Sequence, residues 1–328
     1  MARRYINELQ AGERLDNQVF LIVQKDLRTT TQGALYIHAV LGDRTGQVPG
    51  RMWQASEEIY ASMPDGGFVG LTGRVEMYKG SLQFIIDGVR PVDTENVDLA
   101  EFLPATDRDV EAMWEQVKVI LRGIKNPHLL ALIKQFVTDE ALVAAFKRSP
   151  AAIQMHHAYL GGLLEHTLNV LELTQLVIPR YPAVSLDLML ASVFLHDIGK
   201  TTELTCETAF KYSNGGQLVG HIVQAAIWID QKAAAVERET GEPFPADLKD
   251  VLTHIILAHH GRYEYGSPKL PAVPEAIAIH HLDNLDAKLH MYLRHIEKDP
   301  DPNSDWTNYV RSLETRIFKK NVTGTSNG

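Results

Sequence analysis

Cysteine is nearly absent from this chain of 328 residues, which contains only Cys206. A single cysteine excludes an intramolecular disulfide and a thiolate metal cluster, and it is typical of a protein from a reducing compartment. The chain also lacks an uninterrupted apolar run of ~20 residues, the length that a membrane span needs. Arg3 and Arg4 have no apolar stretch behind them, so we expect no signal peptide. These absences predict a cytoplasmic protein without a membrane partner.

Positive charge is also scarce, because 32 Lys and Arg face 41 Asp and Glu and the formal net charge is −9. Residues 1–92 hold equal numbers of basic and acidic side chains, so the whole excess of acid lies in the remainder. This excess argues against binding of nucleic acid through bulk positive charge. It does not exclude a phosphate substrate, because bound cations reverse the local field.

The first part of the sequence alternates apolar and polar residues and is divided by turn signals. The pattern predicts strands over 19–23, 35–40, a third ending near Trp53, 71–75 and 82–89, with a short helix over 56–63. Three strands, a helix and two strands form the order of an OB-fold β-barrel, which we expect over residues 1–92.

An OB barrel binds single strands when its aromatic side chains stack on bases and its basic groups follow the phosphates. The candidates for nucleic-acid binding are Tyr36, Arg51, Trp53, Arg74, Tyr78 and Lys79. Alternatively, Trp53 and Phe84 fill the barrel and the basic groups are solvated, because small barrels pack their interiors with such side chains. Strand alternation alone leaves both interpretations open.

After Pro91 an acidic stretch containing Pro104 predicts a linker over 93–109. The apolar period then changes to about 3.6, which predicts helices over 110–121, 129–137 and 141–146 and a helical remainder. The sequence thus predicts an α+β multidomain protein: the barrel, the linker, an all-α helical bundle over 110–317 and a disordered tail over 318–328.

Histidine is concentrated in the helical part, since all of the 14 histidines except His38 and His128 lie between positions 156 and 295. Imidazole mixed with carboxylate suits Mn, Fe or Zn. The run His196-Asp197-Ile198-Gly199-Lys200 follows an apolar helix predicted over 186–195. Each histidine group lies on or beside a helical stretch, so several helices can converge on one metal site, as in other bundles.

The order His, His-Asp-x-Gly-Lys, Gly-His, His-His-Gly, Asp-Asn-x-Asp extends over about 120 residues, and its specificity far exceeds that of one His-Asp pair. Residues 156–290 resemble the HD phosphohydrolase superfamily, and the whole chain with its barrel resembles the YhaM-type bacterial 3′-5′ exoribonucleases. The matching segments are 41–46, 156–167, 196–200, 259–261 and 283–288.

The resemblance implies a set of metal ligands in an HD domain. One ion would be held by His166, His196, Asp197 and Asp283. Asp197 would bridge to a second ion, which His221 and His259 would hold. For His260, Asp286 and Lys288 we expect supporting contacts to these ligands or helix-face ion pairs, with direct metal binding as the alternative.

Catalytic roles are expected for Asp197, which would hold both ions, and for Lys200. Lys200 would steady a phosphate as a point charge, and its alternative role is to complement a helix C-terminus. His156 and His157 either contact substrate or pack beside the Gly161-Gly162 bend, and the sequence does not decide between these roles.

The predicted function is a metal-dependent 3′-5′ exoribonuclease that releases nucleoside 5′-monophosphates from single-stranded RNA, with single-stranded DNA as a second substrate. Two divalent ions are expected as cofactors, with Mn favoured and Fe, Co or Zn as alternatives. One alternative function is an HD hydrolase of free or cyclic nucleotides with a regulatory barrel. The other is a single-strand binding factor with a non-catalytic HD site. A homo-oligomer is a further expectation.

Overall fold

The computed structural model describes residues 3–93 and 97–324, and the chain divides into two compact units. The first unit comprises Met1–Ala105 with Cys206–Ala209, and the second comprises Thr106–Thr205 with Phe210–Gly328. Among the described residues, none of the helices combines the length and apolar character that a membrane crossing requires.

The first unit is a closed five-stranded barrel with the strand order β1-β2-β3-β5-β4. Its elements are β1 (Arg14–Thr29), β2 (Leu35–Asp43), β3 (Gly46–Trp53), α1 (Glu57–Ser62), β4 (Gly67–Tyr78) and β5 (Ser81–Pro91). The strands pair antiparallel except for β3 and β5, which pair in parallel and close the barrel. This order with its helix between β3 and β4 is the OB-fold arrangement that the sequence predicted.

The barrel interior is filled by the inward-facing residues of every strand. Phe20, Ile37, Leu71 and Phe84 are fully buried, and the rings of Phe20 and Phe84 lie 5.4 Å apart. Trp53 points outward and is 46% exposed. Of the two aromatic residues considered as interior filling, therefore, only Phe84 has that role.

Part of the predicted linker over 93–109 packs on the barrel. Residues 94–96 lie outside the described residues, and a 3₁₀ helix follows at Leu99–Glu101. The ring of Phe102 is buried and lies 4.8 Å from that of Phe68, and the backbone nitrogen of Arg44 donates to the carbonyl of Glu101. Burial of Phe102 is the physical reason why an acidic segment is ordered here.

The second unit is a helical bundle with one small two-stranded sheet that the all-α prediction omitted. Its elements are α2 (Val110–Leu121), α3 (Pro127–Val137), α4 (Glu140–Arg148), α5 (Gly162–Val177), α6 (Leu186–Leu195), α7 (Lys200–Glu203), β6 (Leu204–Cys206), β7 (Phe210–Tyr212), α8 (Asn214–Leu218), α9 (His221–Thr240), α10 (Ala246–Ala258) and α11 (Pro274–Glu297). Helix α5 packs against α2, α4, α6 and α11. The predicted fold class, a barrel followed by a helical bundle, is confirmed.

Local sequence explains where several of these helices begin. Asp109, Asn126, Asp139 and Ser185 each accept a hydrogen bond from a backbone nitrogen in the first turn of α2, α3, α4 and α6. Such caps stabilise a helix by about 1 kcal/mol each.

The segment predicted as a disordered tail, 318–328, begins in a defined pairing. Phe318 forms a β-bridge with Trp306, and Lys319 forms an ion pair with Asp299. Residues 325–328 lie outside the described residues.

Candidate metal centre

The ends of several helices bring the predicted metal ligands together in the second unit. His196 is the C-terminal cap of α6 and His259 that of α10, whereas His221 is the first residue of α9. His166 lies on α5 and Asp283 on α11. Since the side chains of His166, His196 and His259 are completely buried, this convergence lies inside the bundle.

A first group of donor atoms surrounds the Nε2 atom of His166. Nε2 of His196 lies 3.3 Å from it, and Oδ1 of Asp283 lies 3.2 Å from it. Oδ2 of Asp197 is 3.3 Å from Nε2 of His196. Nitrogens bound to one ion at about 2.1 Å in a tetrahedral site stand about 3.4 Å apart, so these spacings fit a shared cation.

A second group of donors lacks hydrogen-bond partners in the part of the chain that the structure describes. Asp197 Oδ1, His221 Nε2 and His259 Nε2 are buried and unpaired among the described residues. Oδ1 of Asp197 lies 3.4 Å from Nε2 of His221 and 3.8 Å from Nε2 of His259. Buried polar atoms are nearly always satisfied, and an ion is a standard reason for an exception. The donor set of two imidazoles and a carboxylate fits a divalent transition metal.

His260 extends the second group. One ligand atom from each of His221, His259 and His260 lies within 4.8 Å of the others. Nδ1 of His260 donates to the carbonyl of Tyr265 at 2.8 Å, so its Nε2 is free to bind. Expected to be a supporting residue, His260 is placed where it can act as a ligand.

Carboxylates orient one histidine of each group. Nδ1 of His166 donates to Oδ2 of Asp286 at 2.8 Å, and Nδ1 of His221 donates to Oε2 of Glu203 at 2.9 Å. These bonds leave Nε2 as the atom that faces the other donors. Hydrogen bonds of this kind fix the ring orientation and increase the basicity of a metal ligand.

Backbone carbonyls orient the other histidine of each group. Nδ1 of His196 donates to the carbonyl of Val193 at 2.7 Å, and Nδ1 of His259 donates to that of Ile256 at 2.7 Å. A carbonyl only accepts, so the proton sits on Nδ1 and the lone pair of Nε2 is available to a cation. All four rings are therefore preset as ligands.

The charges of the site also suit a cation. Burial raises the pKa of Asp197, but Lys200 and His196 outweigh it and hold that pKa well below its ordinary value. The pKa of Asp283 is likewise lowered, because its hydrogen bond with His166 outweighs burial. Burial lowers the pKa of His166, yet the hydrogen bonds with Asp283 and Asp286 raise it to about 10. Without a metal, a proton on His166 thus balances ionised carboxylates, and a divalent ion would replace it.

Close packing at Gly199 connects the His-Asp turn to α9. A Cβ at Gly199 would lie 2.2 Å from the carbonyl oxygen of His221, so a larger residue would separate the two ligand-bearing segments. The next residue, Lys200, is buried and its Nζ lies 2.6 Å from Oδ2 of Asp197.

The two other residues that were expected to support the ligands, Asp286 and Lys288, occupy different positions relative to the site. Asp286 lies directly behind His166, as described above. Lys288 is exposed and makes no hydrogen bond or ion pair with any residue in the described ranges, so the structure does not bring it to the ligands. Lys288 follows Asp286 by two positions on a helix and therefore faces away from the site.

Sequence reasoning missed Glu203 and Asn169. Glu203 ends the four-residue helix α7, which is too short for a periodic pattern to reveal. Asn169 on α5 donates from Nδ2 to Oδ1 of Asp286 at 3.1 Å. It lies one turn after His166, and this i, i+3 spacing is the signal by which it could have been found.

On the barrel, five of the six candidate nucleic-acid-binding residues form one surface, here called the aromatic patch. Trp53, Tyr78 and Lys79 are exposed there, and Tyr36 and Arg51 are half-buried. The rings of Tyr36 and Trp53 lie 5.3 Å apart. The guanidinium of Arg51 lies 5.7 Å from the Trp53 ring and 5.1 Å from the Tyr78 ring, and Lys79 lies 5.5 Å from Tyr78. The patch combines flat rings with cations.

The sixth candidate, Arg74, is engaged elsewhere. Its guanidinium forms ion pairs with Glu76 at 2.8 Å and with Asp87 at 3.1 Å. These two carboxylates neutralise the charge that a phosphate would need.

Comparisons with known proteins found a matching family model, similar sequences and similar solved structures. Residues 163–288 match the model of the HD domain family, a range that contains all six predicted ligand positions. The 3′-5′ exoribonuclease YhaM of Bacillus subtilis (strain 168) is 31% identical over 312 residues, which cover 95% of this chain and 96% of that protein. The 3′-5′ exoribonuclease YhaM of Bacillus velezensis is 33% identical over 317 residues, with 95% and 96% covered. Among solved structures, the second OB-fold domain of replication protein A from Methanococcus maripaludis aligns with 28% of this chain and 96% of its own at 18% identity and a TM-score of 0.23.

Proposed function

The chain belongs to the YhaM family of 3′-5′ exoribonucleases, and we propose that it hydrolyses single-stranded RNA with two divalent ions held between its helices. Membership of this family, together with the HD domain, makes it a metal-dependent 3′-5′ exoribonuclease. The observation that carries the two-ion proposal is the group of buried, unpaired donors on Asp197, His221 and His259.

The two ions would have separate ligands that meet at one carboxylate. His166, His196 and Asp283 would hold the first ion with Oδ2 of Asp197. His221 and His259, joined by His260, would hold the second with Oδ1 of Asp197. Bound divalent ions lower the pKa of water towards neutrality and neutralise charge on phosphate oxygens.

The chain's own residues fix the geometry of this reaction. The two oxygens of Asp197 face different donor groups, so its carboxylate would hold both ions. Lys200 is a buried cation whose pKa is raised, since the charge of Asp197 outweighs the effect of burial. Lys200 also lines the cavities beside the site, and we propose that it binds the phosphate of the substrate as a point charge.

Manganese is the ion that we propose, with Fe, Co or Zn as the alternatives. The donors include at least two imidazoles for each ion, and nitrogen ligands favour these metals over Mg, which prefers oxygen.

The aromatic patch supports the proposal that the substrate is a single strand. Stacking of bases on Trp53, Tyr36 or Tyr78 requires unpaired bases and tolerates any sequence. Since stacking makes no use of the ribose 2′-hydroxyl, we propose that single-stranded DNA is also a substrate.

Replacing Asp197 tests the proposed reaction. We expect Asp197→Ala to stop the shortening of 5′-end-labelled single-stranded RNA from its 3′ end, and with it the release of nucleoside 5′-monophosphates, because both ions would lose a ligand. His295→Ala is the control, since this exposed histidine lies outside both donor groups and should leave the rate unchanged. Normal RNA shortening by Asp197→Ala would refute the proposal. Rapid turnover of cyclic or free nucleotides, with little of RNA, would instead favour the nucleotide hydrolase.

Two further expectations stay predictions. A homo-oligomer would appear as a multiple of the 36.7 kDa chain mass in light scattering. Fractionation of cells would test the expected cytoplasmic location.

A further inference from the structure

The loop between α4 and α5 has a strained backbone on both sides of His156. Met155 has φ of 89° and His157 has φ of 46°, values in the left-handed region. Residues other than glycine adopt this region at a cost of about 1 kcal/mol or more, and such strain occurs often at functional sites. The loop is held by the carbonyl of His157, which accepts from the backbone nitrogens of Ala151 and Tyr159.

Because of this backbone conformation, the side chains of the adjacent residues His156 and His157 have different surroundings. His157 is buried, and both of its ring nitrogens are bonded within the protein. Its Nε2 donates to Oδ2 of Asp286 at 2.9 Å, and its Nδ1 accepts from the hydroxyl of Tyr159 at 2.8 Å. Nε2 of His290 donates to that hydroxyl at 3.3 Å, and Nδ1 of His290 accepts from the backbone nitrogen of His157. Both ring nitrogens of His157 are thus engaged within the protein, so neither is available to a substrate.

His156 has the opposite character. Its ring makes no hydrogen bond with any residue in the described ranges, although the ring centroid lies only 5.7 Å from that of His166. An imidazole that has no hydrogen-bond partner in the described part of the chain therefore lies beside the metal centre and lines the cavities next to it.

Two cavities meet at His156. The first, of about 500 Å³, is also lined by Glu203, Tyr212 and His221. The second, of about 400 Å³, is also lined by Asp197, Tyr265 and Asp283. A strand that is cut at this centre needs room for nucleotides on both sides of the scissile phosphate, and the two cavities provide it.

We propose that His156 contacts the scissile phosphate, donating its N–H to a phosphate oxygen where the two cavities meet. His157, by contrast, acts only on the metal ligands, through Asp286 and His166. This inference rests on the proposed function and names one more residue of the same site. Because charge builds up on the phosphate oxygens during hydrolysis, the bond would strengthen in the transition state.

The test compares His156→Ala, His156→Gln and His157→Gln in the full-length chain loaded with Mn²⁺. We expect His156→Ala to lower kcat by about 10- to 100-fold, the effect of one hydrogen bond to a charged group. His156→Gln should recover part of this loss through its amide N–H. Both variants should keep the wild-type Mn content, and His156→Ala should bind adenosine 5′-monophosphate about 10-fold more weakly by calorimetry.

His157→Gln should behave differently, with Mn affinity lowered by about 10- to 100-fold and activity restored by excess Mn. His295→Ala serves as the control for both measurements. Wild-type kcat and nucleotide affinity in His156→Ala would overturn the inference, and so would loss of Mn from that variant. If the unaltered chain released no mononucleotide from RNA while His156→Ala still weakened nucleotide binding, the proposed function would fail and the contact would stand.

Discussion

Asp286→Asn is the sharpest test of how the first ion is held. Oδ2 of Asp286 accepts hydrogen bonds from His157 and His166 at 2.9 and 2.8 Å, while Oδ1 accepts from Asn169 at 3.1 Å. An amide has only one acceptor oxygen, so its NH₂ group must face either the histidines or Asn169. Asn169 cannot rotate to offer its own oxygen, because that oxygen already accepts from Arg108 at 3.0 Å. One hydrogen bond is lost if the NH₂ group faces Asn169, and two are lost if it faces the histidines.

The size of the effect follows from the bond that is lost. A hydrogen bond to a charged group contributes about 1.5–3 kcal/mol, and about 1.4 kcal/mol corresponds to a tenfold change in affinity. We therefore expect Asp286→Asn to bind Mn at the first site about 10- to 100-fold more weakly, in the range found for residues that orient metal ligands.

The assay is equilibrium dialysis of the purified chain against buffered Mn²⁺, with bound metal counted per chain. The matched variant is Glu203→Gln, which alters the partner of His221 and should weaken the second ion only. Each variant should thus keep one ion of unchanged affinity. If Asp286→Asn bound both ions as tightly as the unaltered chain, the assigned role of this carboxylate would be refuted.

Three further predictions concern the barrel, the loop and the metal. Trp53→Ala should raise the KM for long single strands by about 5- to 150-fold without changing cleavage of a dinucleotide, because loss of one stacked base costs about 1–3 kcal/mol. Equal effects on both substrates would show that the aromatic patch does not bind the strand. Gly162→Ala should lower stability by about 1–3 kcal/mol in thermal unfolding, because its Cβ would lie 2.1 Å from the carbonyl oxygen of His157, and an unchanged Tm would contradict this packing. Chelation should stop the reaction and Mn²⁺ should restore it better than Mg²⁺, whereas a preference for Mg²⁺ would count against imidazole ligation.

The barrel and the bundle were predictable because each has a regular period. Alternation of apolar and polar residues predicted the strands of the barrel. An apolar period of about 3.6 residues predicted α2, which begins and ends at the predicted residues. The start of α11 was not predicted in this way. That helix begins at Pro274, where a proline needs no hydrogen-bond acceptor because it has no backbone N–H.

The candidate ligands were predictable from their order, but their partners were not. Motif spacing named His166 and His221, whereas the residues behind them follow from the fold. Glu203 reaches His221 from another element, and Phe102 orders its acidic segment through a contact with Phe68. Contacts between distant segments leave no periodic trace in a sequence, which is why these features required the structure.

The two kinds of acceptor behind the metal-binding rings have an evolutionary consequence. The rings of His166 and His221 each donate a hydrogen bond to a carboxylate, that of Asp286 or Glu203. The rings of His196 and His259 each donate to a main-chain carbonyl oxygen near the end of a helix. No single substitution removes a main-chain oxygen, so exchanging the residues behind His196 and His259 leaves the acceptors of their Nδ1 protons in place. Exchanging Asp286 or Glu203 instead alters the acceptor of one ring in one group of donors, so each group can be changed separately while the helices stay as they are.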